Sequence, residues 1–120
     1  MRTIDVATVT YRVKVERRDE LWTARAERAD TGDRYGVECA GITEDEAVAR
    51  LQRWLTWQAT HAAALAELQR TEHAFHRTIA SDAFATVGEG PGAAERQKHR
   101  LETLEAARTR LDQIRAQKPE

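Results

Sequence analysis

Three of the four histidines in this 120-residue chain, His61, His73 and His76, fall within residues 51–76, together with two of the three tryptophans, Trp54 and Trp57. Imidazoles beside a carboxylate such as Glu72, and the lone thiol of Cys39, are the side chains best suited to hold a metal or move a proton. Their spacing argues against a shared site. On a helix His61 and His73 stand ~18 Å apart, whereas zinc holds each ligand ~2 Å from one point. His73 and His76 are three residues apart and Glu72 reaches His76 at four, but His73 points away from the apolar stripe of its segment. His99 points away from the stripe of the segment that follows, and Cys39 lies on a strand. A metal site within one chain is not expected, and neither is a cofactor. "DTG" at 30–32 matches the aspartic-protease triplet, but it occurs once and at a turn. Phosphate-binding glycine loops, nucleophile elbows and paired zinc cysteines are missing, so no catalytic residue is named and an enzyme is not expected.

These side chains need elements to hold them. Val9, Tyr11, Val13 and Val15 alternate with polar residues, the period-two pattern of a strand with one wet face. "RRDE" at 17–20 is a polar turn, after which Trp22, Ala24 and Ala26 alternate again. "ADTGD" at 29–33 is a second turn in which Gly32 can take a positive φ, and Tyr35, Val37 and Cys39 form a third alternating run. Residues 1–41 therefore predict a three-stranded antiparallel meander, with Ile4 and Val6 out of phase and unplaced. Its buried face would be Val9, Tyr11, Val13, Val15, Trp22, Ala24, Ala26, Tyr35, Val37 and Cys39. Ala24 and Ala26 are small enough for a helix to come close.

Thr43 and Glu46 have the spacing of a capping box, and Glu44 and Asp45 put negative charge at the positive end of a helix dipole. A long helix is expected over 43–86, a glycine-rich loop at 87–92, and a second helix over 93–117. Val48, Leu51 and Leu55 should face the sheet. Trp54, Trp57, His61, Leu65, Leu68, Glu72, Phe75 and Ile79 form a second stripe advancing by threes and fours. Folding about the loop sets that stripe against Leu101, Leu104, Ala107, Leu111 and Ile114, with Glu72 beside Leu104. A carboxylate on such a seam needs a partner, and Arg100 and Arg108 flank Leu104. Trp54 and Trp57 lie beyond the part of the hairpin that Leu101 to Leu111 covers. They either pack on the sheet edge or the end of the second helix, or form, with His61, a patch for another subunit.

The totals bound the class. With 19 basic and 20 acidic residues the net charge is −1, and residues 1–43 carry eight of each sign. Nucleic-acid binders concentrate a basic stripe, and none is evident, so nucleic acid is not an expected partner. A single cysteine allows no internal disulfide, no stretch approaches the ~18 apolar residues of a membrane span, and the first residues lack the apolar core of a signal peptide. A cytoplasmic chain of one domain is expected.

Residues 9–57 resemble the small strand-rich domain of HicB-type antitoxins. "YRVKVERRDELWTARAERAD" stands as the first hairpin, and a later strand ends "ECAGITEDEAVARL", where Gly41, Thr43, Glu46 and Ala47 match the family's glycine, threonine and "EEA"-like helix opening. The family's proline-glycine signature before the third strand is replaced by "ADTGDRYGV". A long hairpin stands where its DNA-binding module would follow. The resemblance implies a three-stranded sheet with a helix across it, without carrying over DNA binding or toxin neutralisation.

The expected architecture is α+β: a three-stranded antiparallel meander, a long helix packed on it, and an antiparallel second helix. The expected function is a non-enzymatic protein-interaction or assembly module, homodimeric through its helical hairpin. An antitoxin-like regulator binding a toxin or nucleic acid is the alternative, and a small-molecule or metal-binding bundle the third.

Overall fold

The computed structural model describes residues 2–83 and 92–119. Four strands, β1 (Arg2–Val6), β2 (Val9–Arg18), β3 (Leu21–Arg28) and β4 (Cys39–Gly41), precede two helices, α1 (Glu44–Ala83) and α2 (Ala93–Ala116). The strands form one antiparallel sheet in the order β1-β2-β3-β4, so the chain is α+β.

The sheet has four strands where three were expected, because Ile4 and Val6 do belong to it. Their phase reverses for a simple reason. Val6 pairs with Val9 and Ile4 with Tyr11, across a turn of only two residues. Directly paired residues point to the same face, so a two-residue turn must convert an even-numbered inner face into an odd-numbered one. Ala7 supplies the positive φ (55°) that such tight hairpins require, and Asp19 (57°) does the same between β2 and β3. There Arg17 pairs with Trp22 and Val15 with Ala24, which turns the inner face even again.

The third expected strand is shorter and later than its alternation suggests. Arg34 makes only an isolated bridge to Glu27, and regular pairing resumes at Cys39–Gly41 against Trp22–Ala24. The turn at 29–33 explains the detour. Gly32 takes φ 77°, its N–H donates to the Arg28 carbonyl, and the Arg28 N–H donates to the Asp33 carbonyl. Arg28 also grips the Asp30 carboxylate with two N–H groups at 3.0 and 2.8 Å, which holds that carboxyl below its ordinary value. Tyr35 is tied to Ala26 through its N–H, while residues 36–38 stay outside the ladder.

Helix α1 begins where the capping residues place it. The Glu46 N–H donates to Thr43 Oγ1 at 3.1 Å, and the Glu46 carboxylate accepts the Ile42 N–H at 3.2 Å. The return bond thus reaches one residue before the cap, to an amide that has just left the β4 ladder. Arg2 reaches from β1 to Glu44 and Asp45, at 3.7 and 2.6 Å. Thr43→Ala is expected to lower stability by about 1 kcal/mol, read as a fall in the urea midpoint at constant slope.

The described residues divide into two compact units, Met1–Ala59 with Lys118–Glu120, and Thr60–Gln117. The core of the first consists of Ile4, Val6, Val13, Ala24, Ala26 and Cys39 from the sheet and Ala47, Leu51 and Leu55 from α1. Tyr11, Val15, Trp22, Tyr35, Val37, Val48 and Trp54 are half-buried against it, and Val9 is half-buried. The second unit is made from the later part of α1 and from α2. Among the described residues its buried side chains are Ala64 and Thr71 on α1, and Ala93, Leu104, Ala107, Leu111 and Ile114 on α2. The end of α2 meets the start of this part of α1 at Arg115 and His61. The start of α2 meets its end, where Arg96 and Arg100 share a concavity with Ala74, Arg77, Thr78 and Ser81.

Candidate functional site

In the first unit, Trp54 and Trp57 are consecutive on one side of α1 and pack edge to face, with ring centroids 6.0 Å apart. Trp54 is taken up by its own chain. It packs on the sheet core, its carbonyl accepts the Tyr35 hydroxyl at 3.4 Å, and Lys118 Nζ lies 5.5 Å from its ring. Trp57 is half-buried.

A cavity of about 450 Å³ opens on the same unit, where residues 34–38 leave the sheet. Lys14, Arg25, Glu27, Arg34, Tyr35 and Glu38 line it. The alternation of Tyr35, Val37 and Cys39 had hidden it, since a paired strand leaves no such gap. Its charges are mixed and partly spent. Glu27 takes Arg12 at 2.9 Å and Lys14 at 3.7 Å, and Arg25 reaches Glu16 at 3.4 Å. Burial raises the Tyr35 phenol and the Cys39 thiol above their ordinary values, so both are protonated and poor nucleophiles at neutral pH.

In the second unit, His61 is half-buried and accepts a long hydrogen bond, 3.4 Å, from Arg115 Nε to its Nε2. His73, His76 and His99 are exposed, and among the described residues no three His, Cys, Asp or Glu side chains come together as a metal cluster. Glu72 is half-buried on α1. It makes no ion pair with Arg100 or Arg108, both of which are exposed.

The reason lies in the rotation of α1. The buried residues Ala64 and Thr71, with half-buried His61, Leu68, Phe75 and Thr78, recur at alternating steps of three and four. Leu104, Ala107, Leu111 and Ile114 do the same on α2. The expected stripe placed Leu65, Glu72 and Ile79 at the centre. They instead stand one residue further round, on the flank. Large apolar side chains had outweighed Ala64 and Thr71 in the sequence pattern, yet small side chains are what let two helices approach closely. Thr71 is accommodated because its hydroxyl donates to the Leu68 carbonyl at 2.9 Å.

The flank has its own composition. On α1 it carries Leu65, Glu72 and Ile79, and on α2 Leu101 and Arg108. Each of these follows a seam position by one residue, which in oppositely running helices puts both rows on one side. Ile79 is 40% exposed and Leu101 39%, so the side chains best suited to burial there are left open. No helix among the described residues is long and apolar enough to cross a membrane. Set against known protein families, curated proteins and solved structures, the chain shows no match.

Proposed function

We propose that this chain is a non-enzymatic assembly module of the cytoplasm that forms a homodimer through its second unit, an antiparallel helical hairpin. The observation that carries the reading is the flank just described. Among the described residues of that unit, Ile79 and Leu101 are the exposed large apolar side chains, and Glu72 and Arg108 lie beside them without an ion pair. Two helices alone make a thin core, and pairing two hairpins into a four-helix bundle is the common way to cover such a face.

The second copy is favoured as the partner because the flank is complementary to itself. Glu72 and Ile79 are seven residues apart on α1, and Leu101 and Arg108 are seven apart on α2. In antiparallel helices this equal spacing means that a register bringing Ile79 against the Leu101 of a second copy also brings Glu72 within reach of Arg108. A two-fold axis running along the seam sets Ile79 of one protomer over Leu101 of its partner, and Glu72 over Arg108, with each contact made twice.

Light scattering should give a mass twice the 13.6 kDa of the chain. Glu72→Arg should raise the dimer dissociation constant at least about a hundredfold, because like charges set face to face at an interface cost several kcal/mol. Adding Arg108→Glu should restore much of the affinity. A wild-type mass near 13.6 kDa at high concentration would end the proposal.

The antitoxin-type regulator is the second reading. It rests on the packed cluster of Gly41, Thr43, Glu46 and Ala47 that opens a helix over the sheet. It requires a toxin partner or nucleic-acid binding that weakens steeply with salt.

A further inference from the structure

The cavity on the sheet is produced by a mismatch of register, and the mismatch decides which groups face it. Ala24 pairs with Cys39 and Glu27 with Arg34, so Arg25 and Ala26 of β3 stand opposite the longer stretch 35–38 of the returning chain. The surplus residues must bulge away from the ladder. Before they do, the Tyr35 N–H takes the Ala26 carbonyl at 2.9 Å. In an antiparallel strand the N–H and carbonyl of one residue point to the same side. The Ala26 N–H is therefore directed at the gap as well, and among the described residues no backbone acceptor outside the ladder meets it.

The charges around this space fall into two groups. On the sheet side Glu27 is held by Arg12 and Lys14, and Arg25 by Glu16. On the returning segment Arg34 and Glu38 line the cavity, and neither makes an ion pair with the other or with any other described residue. One uncommitted cation and one uncommitted carboxylate thus border the same cavity. The rest of the wall is largely apolar: Ala26, Tyr35, whose hydroxyl is turned to the Trp54 carbonyl, and the methylene stems of Lys14 and Arg25.

We propose that this cavity binds a free α-amino acid with a large apolar side chain. A ligand of one sign would satisfy Arg34 and oppose Glu38, or the reverse, whereas a zwitterion satisfies both. The planar fork of Arg34 can take both carboxylate oxygens, and the Ala26 N–H adds a donor to the same group. Glu38 accepts from the ammonium group. The volume of about 450 Å³ falls within the range of small-molecule sites and leaves room for a ring beside Tyr35. Every group used belongs to the first unit, so the site stands independently of the dimer formed by the second.

The test is an NMR titration of the ¹⁵N-labelled full chain with L-phenylalanine. N-acetyl-L-phenylalanine, which lacks the ammonium charge, and L-phenylalaninamide, which lacks the carboxylate, are the further arms. The expected result is a saturable shift of the Ala26 amide and of those at 35–38, with either modified ligand bound at least about tenfold more weakly. Arg34→Gln and Glu38→Gln should each weaken L-phenylalanine by a similar factor, while Asp112→Asn on α2 leaves it unchanged. The variants also assign the charges. In Glu38→Gln the acetylated ligand should bind as well as the free amino acid, and in Arg34→Gln the amide should do so. The spectra themselves show that each variant is folded, since both side chains are exposed. Absence of a saturable shift, shifts centred away from residues 26 and 35–38, or equal binding of all three ligands by the unaltered chain would overturn the proposal.

Discussion

Leu51→Ala is expected to cost about 2–5 kcal/mol of stability, a large share of what a domain of ordinary stability has. Leu51 is 0% exposed and, with Leu55, is the largest fully buried side chain in the described structure. Around it the core is built from small residues: Ala24, Ala26, Cys39 and Ala47 make up four of its nine members. Removing one leucine therefore deletes a large part of the apolar volume between helix and sheet. The neighbours cannot close the gap, because alanines have no side-chain freedom with which to fill it. Urea unfolding followed by circular dichroism gives the loss directly. Leu101→Ala is the control, since that side chain is already 39% exposed and its truncation should cost the isolated chain little. A loss under 1 kcal/mol for Leu51→Ala would mean that α1 does not pack on the sheet as described.

Gly41→Ala is expected to cost about 2–3 kcal/mol, from a single added methyl group. A Cβ on Gly41 would lie 2.6 Å from the Ala47 backbone nitrogen, 3.0 Å from Glu46 Cβ and 3.1 Å from the Glu46 carbonyl carbon. Two of these three atoms are backbone in the first turn of α1, which cannot swing aside as a long side chain would. Relief requires α1 to move as a body, while Gly41 is held opposite Trp22 by the β3–β4 ladder. Glycine is needed here for space. Gly36→Ala supplies the comparison: nothing lies within 4 Å of the added atom, so the change should be neutral or slightly stabilising. Equal effects at the two positions would refute the close approach of β4 and α1.

The same cluster shows how much could be read in advance. Thr43 and Glu46 announced the start of α1 because a capping pair is a local device, complete within four residues. Gly41 drew notice only as part of a resemblance, since nothing local reveals that Ala47 will lie against it. Residues 34–38 misled for the opposite reason. Their alternation is real, but tight hydrogen bonding around Gly32 carries the chain off the β3 edge until Cys39. Ile4 and Val6 could not be placed because Ala7 and Thr8 carry no glycine, asparagine or proline to mark a turn. Pairing with β2 holds Ala7 at its positive φ, and that pairing is a tertiary fact.

The candidate site divides in the same way. That Leu104, Ala107, Leu111 and Ile114 form one buried row was legible from spacing, because helical periodicity is local, but Leu101, expected to head that row, stands exposed beside it. Which row of α1 lies inside was not. Two rows one residue apart, one with Leu65 and Ile79 and the other with Ala64 and Thr71, have the same period, and hydrophobicity favours the first. The structure buries the second and leaves Glu72, Ile79 and Leu101 on the flank. Sequence by itself thus determined the order of the elements, the cap of α1, the face of α1 that covers the sheet and the apolar row of α2. Each follows from residues within a turn or two of one another. Only the tertiary structure decided the fourth strand, the rotation of α1 and the meeting of Arg77, Arg96 and Arg100, because each depends on which distant backbone comes close enough to exclude a side chain.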